Sequence, residues 1–146
     1  MEPIALNMNY GSADFRSRVA AGLSVMAESE GPYLVHCTEG KDRTGFVCVL
    51  LEALCGADYE EIERDYMITY ENYYDVGPGS ARYDVIVENV LVPMVQSLAG
   101  DPEVEVRKID LAECAEQFLL DGGMSPDGIS LLRARLVGFR LMKNPN

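Results

Sequence analysis

Residues Tyr33–Gly45 read YLVHCTEGKDRTG, and the architecture of the chain hangs on them. A short apolar run, Tyr33 to His36, predicts a buried strand that delivers Cys37 at its end. Five loop residues follow (Thr38, Glu39, Gly40, Lys41, Asp42), then Arg43, Thr44 and Gly45. Phe46 to Leu54 is apolar nearly all round and predicts a central helix. Strand, glycine-bearing loop and helix in that order make a site for an oxyanion: backbone N–H groups and the positive helix end converge on one point. An arginine there grips two oxygens at once.

Working outward, the 146 residues suit a single domain spanning the chain, 1–146, and are enough for a sizeable core. With 24 acidic residues against 12 basic ones, the net charge is −12, and no basic stripe is present. That excludes a nucleic-acid surface as the expected partner, because phosphates would meet no cationic face. No apolar run approaches the length of a membrane span, and the N-terminus lacks a basic region followed by an apolar one. Cys37, Cys48, Cys55 and Cys114 form neither CxxC pairs nor a disulfide framework, and with one histidine offer no metal-ligand spacing. The expectation is a cytoplasmic protein with no metal or cofactor. Secretion by a route without a visible signal peptide stays open.

Along the chain, Ile4 to Met8 reads as a short strand or a loose lead-in. Ser12 or Asp14 caps a helix to about Ala27, its apolar stripe being Phe15, Val19, Leu23 and Met26. Gly31-Pro32 breaks the chain before the strand. Gly56 closes the central helix. Asp58 with Glu61 makes a capping box for a helix over Tyr59–Tyr74. Its Tyr59, Tyr66, Tyr70, Tyr73 and Tyr74 read as half-buried packing, and the acidic run Asp58, Glu60, Glu61, Glu63 as a solvated face. Ser80 opens a helix to about Leu98, bent at Pro93. Val104–Ile109 alternates as a strand or an extended linker would. Asp110 caps a helix to Leu120, and Ser125-Pro126 opens the last, to about Phe139. The fold class predicted is α/β: a helix-rich domain with strand, anion loop and helix at its centre, in a sheet short of strands.

The chemistry follows from Cys37. A thiol of ordinary pKa about 8.5 falls by several units at a helix N-terminus among cations. The loop supplies that setting, with Lys41 and Arg43 as the cations. As a thiolate Cys37 attacks a phosphate monoester in line and forms phosphocysteine, with loop N–H groups and Arg43 on the equatorial oxygens. Thr44 can place its hydroxyl on the sulfur and ease its departure. Adjacent strand residues face opposite ways, so His36 cannot act as the base of Cys37. It reads instead as a buried, hydrogen-bonded residue that orients the loop. A nucleotide-binding P-loop fails on Val35, where glycine is required, and on Asp42, where Ser or Thr is required. Cys48 reads as core, or as a partner thiol for Cys37 on oxidation.

HCTEGKDRTG resembles the active-site signature HCxxGxxR[ST]G of the cysteine-dependent protein tyrosine phosphatase superfamily, matching at His36, Cys37, Gly40, Arg43, Thr44 and Gly45. With Lys41 and Asp42 inside the loop, it is similar to a bacterial branch of tyrosine and lipid (dual-specificity) phosphatases. Asp65-Tyr66 and the closing EQFLLDGGMSPDGISLLRARL are similar to that branch too. The resemblance implies Cys37 as nucleophile and Arg43 as phosphate clamp, with the phosphate bound by Thr38, Glu39, Gly40, Lys41, Asp42 and Arg43. Lys41 would add charge for polyanionic headgroups. Asp42 maps onto the branch's general acid; it can equally fix the loop by pairing with a basic neighbour. Asp14, the sole aspartate upstream of Cys37, reads as a helix-start residue rather than the acid. The substrates implied are a phosphorylated protein or a phosphoinositide. Family members carry further strands ahead of this point, so a partner segment or an oligomer is expected to complete the sheet. The alternative is a binding or regulatory domain that keeps the loop and hydrolyses poorly.

Overall fold

The structure, a computed structural model, describes residue 6 and residues 9–142, with side chains as far as Gly138. Seven α-helices and one π-helical turn make up the described residues: α1 (Ala13–Glu28), α2 (Arg43–Leu54), α3 (Tyr59–Tyr74), α4 (Ala81–Ile86), the π turn (Val87–Leu91), α5 (Val92–Ala99), α6 (Leu111–Asp121) and α7 (Pro126–Met142). Each start has a local cause. Ser12, Asp58, Ser80 and Asp110 accept from the N–H three residues on, and Glu61 closes the capping box with Asp58. Ser125 Oγ accepts from Gly128 N–H at the start of α7.

The amphipathic helices close around α2, which buries Phe46, Val47, Val49, Leu50, Ala53 and Leu54. α1 packs on α6 and α7, and α2 on α6, α3 and α5. Phe46 is the hinge of the aromatic core. Its ring stacks on Tyr10, with centroids 5.1 Å apart, and meets Phe15 edge-on at 4.9 Å and Phe118 at 5.4 Å. Two α7 arginines tie down helix ends that would otherwise leave carbonyls unpaired. Arg133 Nε donates to Leu54 O at the end of α2, and Arg135 Nε donates to Ala27 O at the end of α1.

The predicted central strand is corrected: among the described residues Tyr33–His36 has no ladder partner, and Leu34 is 84% exposed. A strand is a pairing, and no second extended segment lies beside this one among the described residues. The α/β prediction is therefore not met there, where all regular structure is helical. The helix predicted from Ser80 to about Leu98 runs without a gap over Ala81–Ala99, and its irregularity is the π turn ahead of Pro93. Proline lacks the N–H for the carbonyl four residues back and crowds it. Ahead of the proline, Val92 N–H donates to Val87 O five residues back, and Pro93 falls in the first turn of α5. Residues 104–109, read as a strand or an extended linker, form no strand: the chain turns at 106–107, where Val106 is buried. The proposed Ile4–Met8 strand lies largely outside the described residues.

One feature of the α2–α3 contact was not expected. Burial, a hydrogen bond with the Asp65 carboxyl and the charges of Asp65 and Glu61 push Glu52 up from 4.5 to about 8. Between those values the folded protein keeps a proton that the unfolded chain has released, so stability falls as pH rises through that window. Glu52→Gln is expected to raise Tm at about pH 9 and leave it nearly unchanged at about pH 4, as measured by thermal unfolding across pH. A pH-independent difference would refute the shared proton.

Candidate active site

The loop between residue 37 and α2 folds back because Gly40 adopts φ +71, a left-handed conformation natural to glycine. That turn brings the N–H groups of Glu39, Gly40 and Thr44, together with the Thr44 hydroxyl, onto the Cys37 sulfur. Burial pushes the thiol up, but these donors outweigh it, and Cys37 is lowered from 9.0 to about 7. Burial and neighbouring carboxylates instead push Cys48 and Cys114 up, and burial raises Cys55 against the opposing charge of Arg133. Cys37 alone of the four cysteines is pushed toward the thiolate. Arg43 and Lys41 are not leading contributors to this, contrary to the expectation from their proximity in sequence.

The reason lies in where those cations go. Arg43 opens α2, donates from Nη1 to Leu6 O at 3.2 Å and from Nη2 to Thr38 Oγ1 at 3.0 Å. Among the described residues its Nε is buried with no partner, and the buried Thr44 hydroxyl lies near enough to the sulfur to stabilise the thiolate. Lys41 turns the other way. Its Nζ lies 5.6 Å and 5.8 Å from the ring centroids of Tyr70 and Tyr74, and 3.5 Å from Glu39 Oε2.

Asp42 occupies the N-cap position of α2 yet makes no side-chain cap bond, because its backbone is already helical (φ −86, ψ −70). Its carboxylate stands 3.9 Å from Lys41 Nζ instead. Gly45 is buried in the first turn of α2 because the Tyr66 ring lies against it: an added Cβ would sit 2.8 Å from Tyr66 Cε2. Asp14 is exposed on α1, where both its carboxylate oxygens accept from Arg18 Nε. His36 is exposed and makes no hydrogen bond to the loop, which corrects its reading as a buried, orienting residue. His36 and Leu34 are both exposed, on a segment with no ladder partner among the described residues to cover them.

Sequence reasoning missed Tyr10 and Leu6. Tyr10 is held by Phe15 and Phe46, and its hydroxyl lies within electrostatic reach of Asp42, Cys37 and Arg43. Burial, then the charges of Asp42 and Cys37, push it up to about 12, so it stands beside the loop as a protonated donor. Both contacts are long-range and leave no local pattern to read.

Residues 5–138 match the family model described as the tyrosine phosphatase family. The chain belongs to that family. Among curated relatives, a protein of Cupriavidus necator assigned by name to the tyrosine-protein phosphatases is 42% identical over 112 residues, covering 69% of this chain and 38% of its own length. The triple specificity protein phosphatase PtpB of Mycobacterium tuberculosis is 27% identical over 122 residues, covering 73% of this chain and 44% of that protein. A tyrosine-protein phosphatase of Nostoc commune is 44% identical over 45 residues, covering 31% of this chain and 15% of that protein. The chain thus spans less than half the length of each of these relatives. No solved structure matches it. No helix among the described residues is long and apolar enough to cross a membrane.

Proposed function

We propose that the chain is a phosphomonoester hydrolase domain of the bacterial tyrosine and lipid dual-specificity kind, acting on phosphotyrosine, phosphoinositides or both through phosphocysteine. The observation that carries this reading is that Cys37 alone among the cysteines is held down, at about 7, by the donors that line its loop. In the reaction the Cys37 thiolate attacks phosphorus in line, the S–P bond forms and the P–O bond to the leaving group breaks. Loop N–H groups from Thr38 to Arg43 and the Arg43 guanidinium hold the equatorial oxygens. Asp42 gives its proton to the leaving oxygen. Water then attacks phosphorus, Asp42 takes back a proton, and the sulfur leaves as a thiolate beside the Thr44 hydroxyl. Inorganic phosphate is released.

The test is turnover of p-nitrophenyl phosphate beside phenyl phosphate. Wild type is expected to hydrolyse both, and on p-nitrophenyl phosphate, whose leaving group needs little protonation, kcat/KM should rise with pH to a plateau above about 7 as Cys37 ionises. Asp42→Asn should slow phenyl phosphate by about 10²-fold and spare p-nitrophenyl phosphate, whose phenolate needs little protonation. An equal loss on both substrates would remove Asp42 from the acid role.

The runner-up, a regulatory domain that binds phosphate without hydrolysing it, is favoured by one observation. The segment leading into Cys37 has no ladder among the described residues, and Leu34 is bare. A partner segment or second copy supplying a strand there is the corresponding proposal. Phosphate binding by wild type without release of p-nitrophenol would select this reading over the enzyme.

A further inference from the structure

Tyr66, Tyr70 and Tyr74 recur at four-residue steps on α3 and form a continuous aromatic stripe, with neighbouring centroids 5.8 Å and 5.7 Å apart. One end of the stripe lies on Gly45, where α2 begins, at a separation that leaves no room for a Cβ. At the other end lies Lys41. Its side chain is 20% exposed, and its ammonium is caged by the Tyr70 and Tyr74 rings and the Glu39 and Asp42 carboxylates. We propose that Lys41 is a positioning residue: it clamps the anion loop onto the tyrosine stripe of α3 rather than meeting the phosphorylated substrate with its charge.

Three observations converge on this. The stripe touches the loop at Lys41 and the first turn of α2 at Gly45, so the residues between them are backed at both ends. The chain entering the loop offers no such support, since Tyr33–Cys37 has no backbone partner among the described residues. A substrate phosphate would have to draw the ammonium out of contacts with two rings and two carboxylates. A cation over an aromatic face is attracted by the ring's quadrupole, the more strongly the less water reaches it. The direction of the Lys41 shift agrees: burial would lower it, but Tyr70, Asp42, Tyr74 and Glu39 together raise it. The charge that the family resemblance assigned to polyanionic headgroups is already occupied.

This inference rests on the phosphatase reading for its kinetic arm, and a second arm is independent of it. Three variants serve: Lys41→Met keeps the stem and loses the charge, Lys41→Arg keeps a cation over the rings, and Tyr74→Leu removes the outer ring. In hydrogen exchange, the peptide covering residues 38–44 should exchange several-fold faster in Lys41→Met and in Tyr74→Leu, and near the wild-type rate in Lys41→Arg. On p-nitrophenyl phosphate, Lys41→Met should lower kcat about tenfold with KM within about twofold, because a loosened loop costs transition-state geometry. The Lys41→Met/Tyr74→Leu double variant should be no worse than the single ones. A rise in KM at constant kcat, additive losses, or unchanged loop exchange would each overturn the clamp. If wild type turns nothing over, the catalytic reading fails, and the exchange arm still decides the clamp.

Discussion

Cys37→Ser is expected to abolish turnover of aryl phosphates, by about 10⁴-fold or more, while phosphate binding survives. The donors of Glu39, Gly40 and Thr44 bring a thiol that starts at 9.0 to about 7, where half of it is thiolate near neutrality. The same donors acting on a serine hydroxyl start from a far weaker acid and leave it protonated, so no nucleophile forms. The binding elements are untouched, because Arg43 and the loop N–H groups do not depend on sulfur. Removing a thiolate also removes one negative charge facing the incoming anion. Steady-state rates on p-nitrophenyl phosphate and calorimetric titration with inorganic phosphate check the two halves. Activity within about tenfold of wild type would refute Cys37 as nucleophile.

The next largest effect is expected at Arg43. Arg43→Lys should lower kcat/KM by about 10³-fold, although the formal charge is kept. A guanidinium presents a planar fork: here two arms are held by Leu6 O and Thr38 Oγ1, and Nε is buried without a partner. An ammonium cannot satisfy that geometry, and it leaves the Leu6 carbonyl and the Thr38 hydroxyl without their donor. Rates on p-nitrophenyl phosphate, with Tm measured alongside, separate catalysis from folding. A loss below about tenfold at unchanged Tm would show that Arg43 serves as a point charge only.

Most of the helices are legible in the sequence, because their causes are local. Asp58 with Glu61, Ser80, Asp110 and Ser125-Pro126 each announce a start within four residues of the bond they make. Gly56 at φ +94 ends α2 in the same local way. What could not be read depends on distant partners. Tyr33–His36 has the composition of a strand, but a strand exists only with a neighbour to pair with, and the exposure of His36 follows from that lack. An irregularity near Pro93 is legible in the sequence; its form, a π turn ahead of the proline, is not. At the site, the cysteine, the loop glycine and the arginine are plain in the motif. The cause of the low Cys37 pKa is not, since Lys41 and Arg43 look like its cations in sequence and are committed elsewhere in space. Tyr10 and Leu6 reach the loop only through tertiary packing on Phe46 and Arg43.

The central claim is a covalent bond between substrate phosphorus and the Cys37 sulfur. Acid quenching of wild-type protein during turnover of a ³²P-labelled aryl phosphate, followed by peptide mapping, tests it most directly. The label is expected on the peptide containing Cys37 and on no other. Label on another residue, or steady turnover with no protein-bound label at any quench time, would contradict the covalent route.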